Sequence, residues 1–391
     1  MSFYYAISMP RPPHLIKSNL RSYGILGLGQ EPFEVNSGMR FATAQEEGFS
    51  DAVEIAITHI MKLVSIPSPT GYTDRVIDYC YEYVASLGYE LQRTYKGGLV
   101  VKVQGDSART RVLAAHVDTL GAMVKQILPD GRLRIAPIGG YKFQTIEGEY
   151  CNVHTLEGVA YTGTVVAHKA SVHVYRELEE RTEETMEVRL DETVHSIADT
   201  KKLGIAVGDF VSLNPRAQHV LSGHIKSRHL DDKASAGILL SLLQVIKEER
   251  ISLPYNLTIL LSTDEEIGYG GNSNIPDTAF EYLAVDMGAI GEGLDTTEHV
   301  VSICAKDSSG PYHFEMRKKL TQLAMHYQIP FAVDIYPHYS SDASAARRAG
   351  YDLRTALVGP GIDSSHAYER THRDSIAATL RLVALYVQSE Y

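Results

Sequence analysis

Short apolar runs that stop at an acid or a histidine constrain this chain more than any other feature. Arg111-Val112-Leu113-Ala114-Ala115 ends at His116, and Leu257 to Ser262 runs into Thr263-Asp264-Glu265-Glu266. Leu283-Ala284-Val285 ends at Asp286, and Thr355 to Val358 leads to Asp363-Ser364-Ser365-His366. Runs of this kind, bounded by turn residues, predict buried strands. Helical periodicities over 232–249, 314–327, 342–349 and 374–389 alternate with them, which predicts an α/β fold, a mixed sheet with helices on both faces. In open sheets of that class, ligands gather outside the carboxyl ends of the strands, and that is where these residues fall.

The remainder divides by its punctuation. Residues 1–44 carry Pro10, Pro12, Pro13 and several glycines without sustained periodicity, and read as an irregular extension. Met39 lies so near the first regular element that it is a second candidate start; intact mass distinguishes the two. Val53, Ile57, Ile60, Met61 and Val64 share one face of a predicted helix over 51–64, with Asp51 and Glu54 spaced as a capping box. Ile66-Pro67-Ser68-Pro69-Thr70-Gly71 ends it, and a second helix fits 74–87 before Gly88. Between 122 and 222 the helical period disappears. Leu133–Ile138, Gly158–Ala167 and Phe210–Leu213 read as short strands, and the acidic stretch Glu177 to Glu192 as a solvated loop or edge. The expected organisation is a main domain over 45–121 and 223–391, interrupted by a small β-barrel-like domain over 122–222.

Several function classes are set aside by composition. A net charge of −11 repels phosphate backbones, so no nucleic-acid partner is expected. Cys80, Cys151 and Cys304 lack CxxC spacing, which excludes a disulfide framework and a thiolate metal cage. No apolar run approaches the roughly 20 residues that span a bilayer, and no signal segment opens the chain. The expected location is cytoplasmic, with no membrane partner.

The chemistry lies in five clusters. In His116-Val117-Asp118 a carboxylate two residues away can accept the imidazole's second N–H, which leaves the other nitrogen a better ligand. The same tripeptide is common in structural settings. Asp231-Asp232-Lys233 opens a helix; one acid can cap it or Asp231 can lie between two cations. Glu265 and Glu266 must diverge at a strand end, so one can bind metal while the other faces a reacting water, the pairing that metal-assisted hydrolysis needs. Asp286 and His366 complete the set. No Gly-x-Ser-x-Gly elbow surrounds Ser364-Ser365, and the glycines at 268–271 lack the Lys-Ser/Thr end of a phosphate loop.

Taken together, His116-x-Asp118, Asp231-Asp232, Glu265-Glu266, Asp286 and His366 resemble the ligand series of co-catalytic dimetal exopeptidases. The wording His116-Val-Asp-Thr-Leu-Gly121, Ala136-Pro-Ile-Gly-Gly140 and Arg228-His-Leu-Asp-Asp-Lys233 resembles the glutamyl and tetrahedral aminopeptidase family. The resemblance runs from about residue 50 to the end. It implies a bridging Asp231 with a cis peptide to Asp232, one metal site completed by His116 and Asp286, and another by Glu266 and His366. It further implies Glu265 as general base, Asp118 as the orienting acid, and oligomer assembly through the inserted β domain.

Two divalent ions per subunit are expected, zinc by the nitrogen–oxygen donor set, with cobalt or manganese also compatible. The expected activity is removal of N-terminal residues from peptides by a homo-oligomeric metallopeptidase. A dimetal deacylase or carboxypeptidase acting on a small acylated peptide, and a non-catalytic assembly protein, remain alternatives. The sequence departs from the family at Ser340-Ser341-Asp342-Ala343 and at Ala367-Tyr368. With Lys306-Asp307-Ser308-Ser309-Gly310-Pro311, that wording is similar to a branch linked to the osmoprotectant N-acetylglutaminylglutamine amide, which leaves the substrate open.

Overall fold

A computed structural model describes residues 39–390, residue 178 excepted. Most of the extension expected over residues 1–44 lies outside the described residues. Its last described part, 39–44, has no regular secondary structure yet is packed: the Phe41 ring meets Phe49 edge-on at 5.0 Å, and Arg381 Nε donates to the Phe41 carbonyl at 2.9 Å.

Among the described residues, four strands form the parallel centre of a ten-stranded sheet. Asn256–Ser262, Thr110–His116, Ala279–Val285 and Arg354–Ile362 lie side by side in that order, each parallel to its neighbour. Leu99–Val103 and Val301–Asp307 flank them antiparallel. All seven residues of Thr110–His116 are buried, as a strand covered on both faces requires. Alternate side chains serve the two layers. Val112 and Ala114 join Tyr282, Ala284 and Leu357 beneath Ala343 and Ala346 of helix Asp342–Arg348. Arg111 points the other way, where its guanidinium donates to the Tyr386 carbonyl of helix Arg373–Gln388 at 2.8 Å. That second layer also holds helices Phe49–Val64 and Leu230–Glu248. The latter is buried continuously from Leu230 to Leu243 and runs at close quarters beside the former. A Cβ on Gly237 would stand 2.6 Å from Ile60 Cγ1 and 3.0 Å from the Ala56 carbonyl.

Six strands between Gly121 and Leu213 close into a barrel: Gly121–Ile127, Leu133–Ile138, Met186–Leu190, Ala160–Ala167, Tyr150–His154 and Phe210–Leu213. Its core is filled by inward side chains such as Val124, Ile135, Val153, Val165, Val188 and Val211. The mixed α/β sheet and the added barrel match the expected fold class.

Two local expectations are corrected. Helix Phe49–Val64 starts before Asp51, with Gly48 at its N-cap in the left-handed region (φ 81°), so no capping box forms. The acidic stretch is not simply solvated. Glu187 lies within a barrel strand, fully buried, and its carboxylate is met by His168 Nδ1 at 2.8 Å and Arg132 at 3.4 Å.

Candidate active site

Strand register sets the site. His116 ends its strand opposite Ser262, and Val285 pairs with Val358, so the chain leaves the sheet at one common edge at each point. Beyond that edge come Glu265 and Glu266 in a single 3-10 turn, then Asp286 directly after Val285. His366 follows strand Arg354–Ile362, and Asp231 enters from the start of helix Leu230–Glu248. The peptide between Asp231 and Asp232 is cis.

Asp231 sits at the middle. Its Oδ1 lies 3.2 Å from His116 Nε2 and its Oδ2 lies 3.3 Å from His366 Nε2. Glu266 Oε2 approaches His366 Nε2 at 3.6 Å, and Glu265 Oε2 approaches His116 Nε2 at 3.7 Å. His116, Asp231 and Asp286 each offer an atom within 4.8 Å of the other two. An open cleft of about 320 Å³ lies over these groups, bordered by Gly140, Met287, His338 and Tyr339.

A surrounding shell fixes the arrangement. His116 Nδ1 meets the carbonyl oxygen of Asp118 at 3.0 Å and its carboxylate Oδ1 at 3.4 Å. The backbone carbonyl is thus the nearer partner, although the sequence reading assigned that contact to the carboxylate. Asp232 Oδ2 accepts the His116 backbone N–H at 3.3 Å. His366 Nδ1 is held by the carbonyl of Gly140, at the end of the barrel's Ala136-Pro-Ile-Gly-Gly140 segment. Gly139 reaches this position at φ 77°, with space for a Cβ closed by Leu120 at 2.4 Å. Glu369 escaped the sequence reading. Its Oε2 accepts the Asp231 N–H and its Oε1 the His366 N–H, both at 3.1 Å. Nothing in the local wording could have marked it, since one of its partners is an amide 138 residues away.

Electrostatics show what the donor set lacks. Burial, followed by the charge of Asp231, lifts the Asp286 carboxyl to about 7. Burial lifts Glu266 to about 8 against the opposing pull of His366, and it holds Glu265 well above the ordinary range. Burial also disfavours a charged His366, yet the hydrogen bond to Asp231 and the Glu266 charge raise it to about 11. Carboxylates packed this closely around two imidazoles form a buried negative surplus. Nitrogen and oxygen donors gathered around such a surplus suit divalent cations. The residues present therefore fit a metal centre.

The M42 glutamyl aminopeptidase family matches residues 97–382. The candidate aminopeptidase YhfE of Bacillus subtilis (strain 168) is 56% identical over 333 residues, covering 84% of this chain and 96% of that protein. This chain belongs to the M42 glutamyl aminopeptidase family. It is a peptide hydrolase, and M42 peptidases are metal-dependent. Solved structures agree on the fold. The TET aminopeptidase from a marine sediment archaeon, Thaumarchaeota archaeon SCGC AB-539-E09, superposes with a TM-score of 0.77 at 17% identity, over 86% of this chain and 96% of that one. The Pyrococcus horikoshii TET1 peptidase, which can assemble into a tetrahedron or a large octahedral shell, gives 0.76 at 19% identity, over 85% and 99%. Among the described residues of this M42 chain, no helix is long and apolar enough to cross a membrane.

Proposed function

We propose that this chain is a dinuclear-metal aminopeptidase that removes N-terminal residues from peptides. One observation carries the reading: the two oxygens of Asp231 face two different imidazoles, His116 at 3.2 Å and His366 at 3.3 Å. A carboxylate so placed can serve two ligand sets at once. His116 and Asp286 complete one set, and Glu266 and His366 the other. Zinc suits these donors, and cobalt or manganese would also be held.

Divalent ions bound there supply Lewis acidity, polarising the scissile carbonyl and making a water in the cleft easier to deprotonate. Glu265 accepts the proton of that water at a carboxylate oxygen and returns it to the departing amine nitrogen, so it is regenerated each turn. Asp118 holds Glu265 and His116 in place. The 320 Å³ cleft admits a side chain and the start of a peptide.

We also read the chain as a homo-oligomer assembled through the barrel domain, over 122–222. The barrel exposes Ile197 and Val207 beside an open groove, and the TET1 relative assembles into closed particles. Light scattering of the purified chain tests this; a monomer contradicts it.

Activity is tested with metal-replete protein and paired aminoacyl arylamides, one with a free α-amine and one acetylated. Release from the free amine alone is expected. Equal release of arylamine from the acetylated partner would end the aminopeptidase reading, and release of acetate from it would favour a deacylase.

A further inference from the structure

Outside the cleft, three elements bring a second group of nitrogen and oxygen donors together. They are strand His224–Ser227, the loop before strand Val301–Asp307, and the junction of strand Glu369–His372 with helix Arg373–Gln388. His299 Nδ1 lies 3.0 Å from Asp374 Oδ2, and His372 Nδ1 lies 3.2 Å from the same oxygen. One atom of each of these three residues falls within 4.8 Å of the other two. A tetrahedral ion that holds nitrogen and oxygen at about 2.0–2.1 Å spaces its donors about 3.3–3.4 Å apart. The two spacings to Asp374 Oδ2 are already close to that size.

The surroundings favour a ligand. His372 Nε2 donates to the Ser222 carbonyl at 2.8 Å, which leaves Nδ1 as the bare nitrogen on the cluster side. A carbonyl on the far nitrogen fixes a metal-binding tautomer in this way. His224 faces the same spot, its ring 4.7 Å from His372 and 6.0 Å from His299 between centroids, with Nδ1 against Ser222 Oγ at 3.1 Å. The neighbouring cations are answered elsewhere, Arg370 by Glu298 at 2.6 Å and Arg373 by Glu54 at 2.9 Å. One contact opposes occupancy: the Asp374 backbone N–H now donates to His372 Nδ1 at 3.1 Å, and an ion there would displace that cap.

We propose that His299, His372 and Asp374 form a separate surface site for a divalent ion of the zinc class. Two imidazoles and one carboxylate select zinc, cobalt, nickel or copper over magnesium and calcium. Such an ion would fasten the loop carrying His299 to the first turn of helix Arg373–Gln388. It would also brace strand Glu369–His372, in which Glu369 holds the backbone of Asp231 and His366.

The test is a zinc count per chain on full-length protein across a series of buffered free-zinc levels, with His299→Ala and Asp374→Asn beside the wild type. Both altered side chains are at least half exposed, so the fold is not at risk. Wild type should bind one more zinc than either variant at the upper levels, with an added rise in Tm that both variants lack. Magnesium should produce neither effect. Equal counts in all three proteins would overturn the site. Because the comparison is between proteins, the answer stands whatever number of ions the cleft holds.

Discussion

Asp118 holds the backbone of Glu265: its Oδ1 accepts the Glu265 N–H at 3.3 Å, while its Oδ2 accepts the Glu266 N–H at 3.3 Å and the Thr70 hydroxyl at 2.7 Å. The acid read as an orienter of His116 therefore also sets where the two glutamates leave the sheet. Both proposed roles of the Glu265-Glu266 pair, proton transfer by one and metal ligation by the other, depend on that turn.

Glu265→Gln removes the proposed proton acceptor and preserves the shape of the turn. The variant should retain its metal and lose on the order of 10²–10⁴ in kcat, the usual size of a general-base contribution. Metal content and turnover measured on one preparation check this. Full activity would remove Glu265 from its role, whereas loss of metal would make it a ligand.

Glu369→Ala frees two backbone amides at once, those of Asp231 and His366. Partners of this kind affect metal affinity or activity by about 10–100-fold. The expected result is weaker metal retention against a competing chelator, with a matching drop in kcat/KM. Glu369→Gln keeps one accepting oxygen and should fall between the two. If Glu369→Ala matches wild type in both measurements, the carboxylate does not position the ligands.

The sequence made the sheet readable wherever burial is apolar. Residues 112–115 of Thr110–His116 and 282–285 of Ala279–Val285 are buried throughout and spell that out, whereas the buried ion pair of Arg111 with Glu281 in the same two strands does not. Val301–Asp307 was missed because its polar Ser302 is buried yet satisfied by Thr296 Oγ1 at 2.8 Å and by Tyr336, partners that only the fold supplies. Strand Glu369–His372 has no apolar residue at all and exists by pairing with His224–Ser227. The same cause hid Glu369. Ligand types at strand ends announce themselves, whereas groups that bind backbone amides from afar do not.

Close approach between helices gives a stability prediction. Gly237 lies where helix Leu230–Glu248 meets helix Phe49–Val64, with Ile60 Cγ1 2.6 Å from the place of its missing Cβ. Gly237→Val forces the helices apart or drives Ile60 off its rotamer, and should cost on the order of 1–3 kcal/mol. Urea unfolding at fixed pH and metal reads this as a lower midpoint with an unchanged slope. An unchanged midpoint would mean that the helices can separate freely.

His59 supplies a pH dependence remote from the metal residues. It is buried between helices Phe49–Val64 and Asp74–Ser86, with Nδ1 2.7 Å from the Tyr79 hydroxyl and its ring 4.1 Å from Tyr83. Burial lowers its pKa from 6.5 to about 4, and the nearby Lys62 lies over Tyr79 rather than against the imidazole. The folded state therefore holds His59 neutral, while the unfolded chain protonates it below about 6.5. Its contribution is fully present above that pH and is lost as pH falls toward 4, reaching about 3 kcal/mol over the window. His59→Phe keeps a ring against Tyr83 and removes the titration. Its stability, less stable than wild type at neutral pH through the lost Tyr79 bond, should fall less steeply between pH 6.5 and 4. Parallel curves for the two proteins would show that His59 is protonated alike in both states.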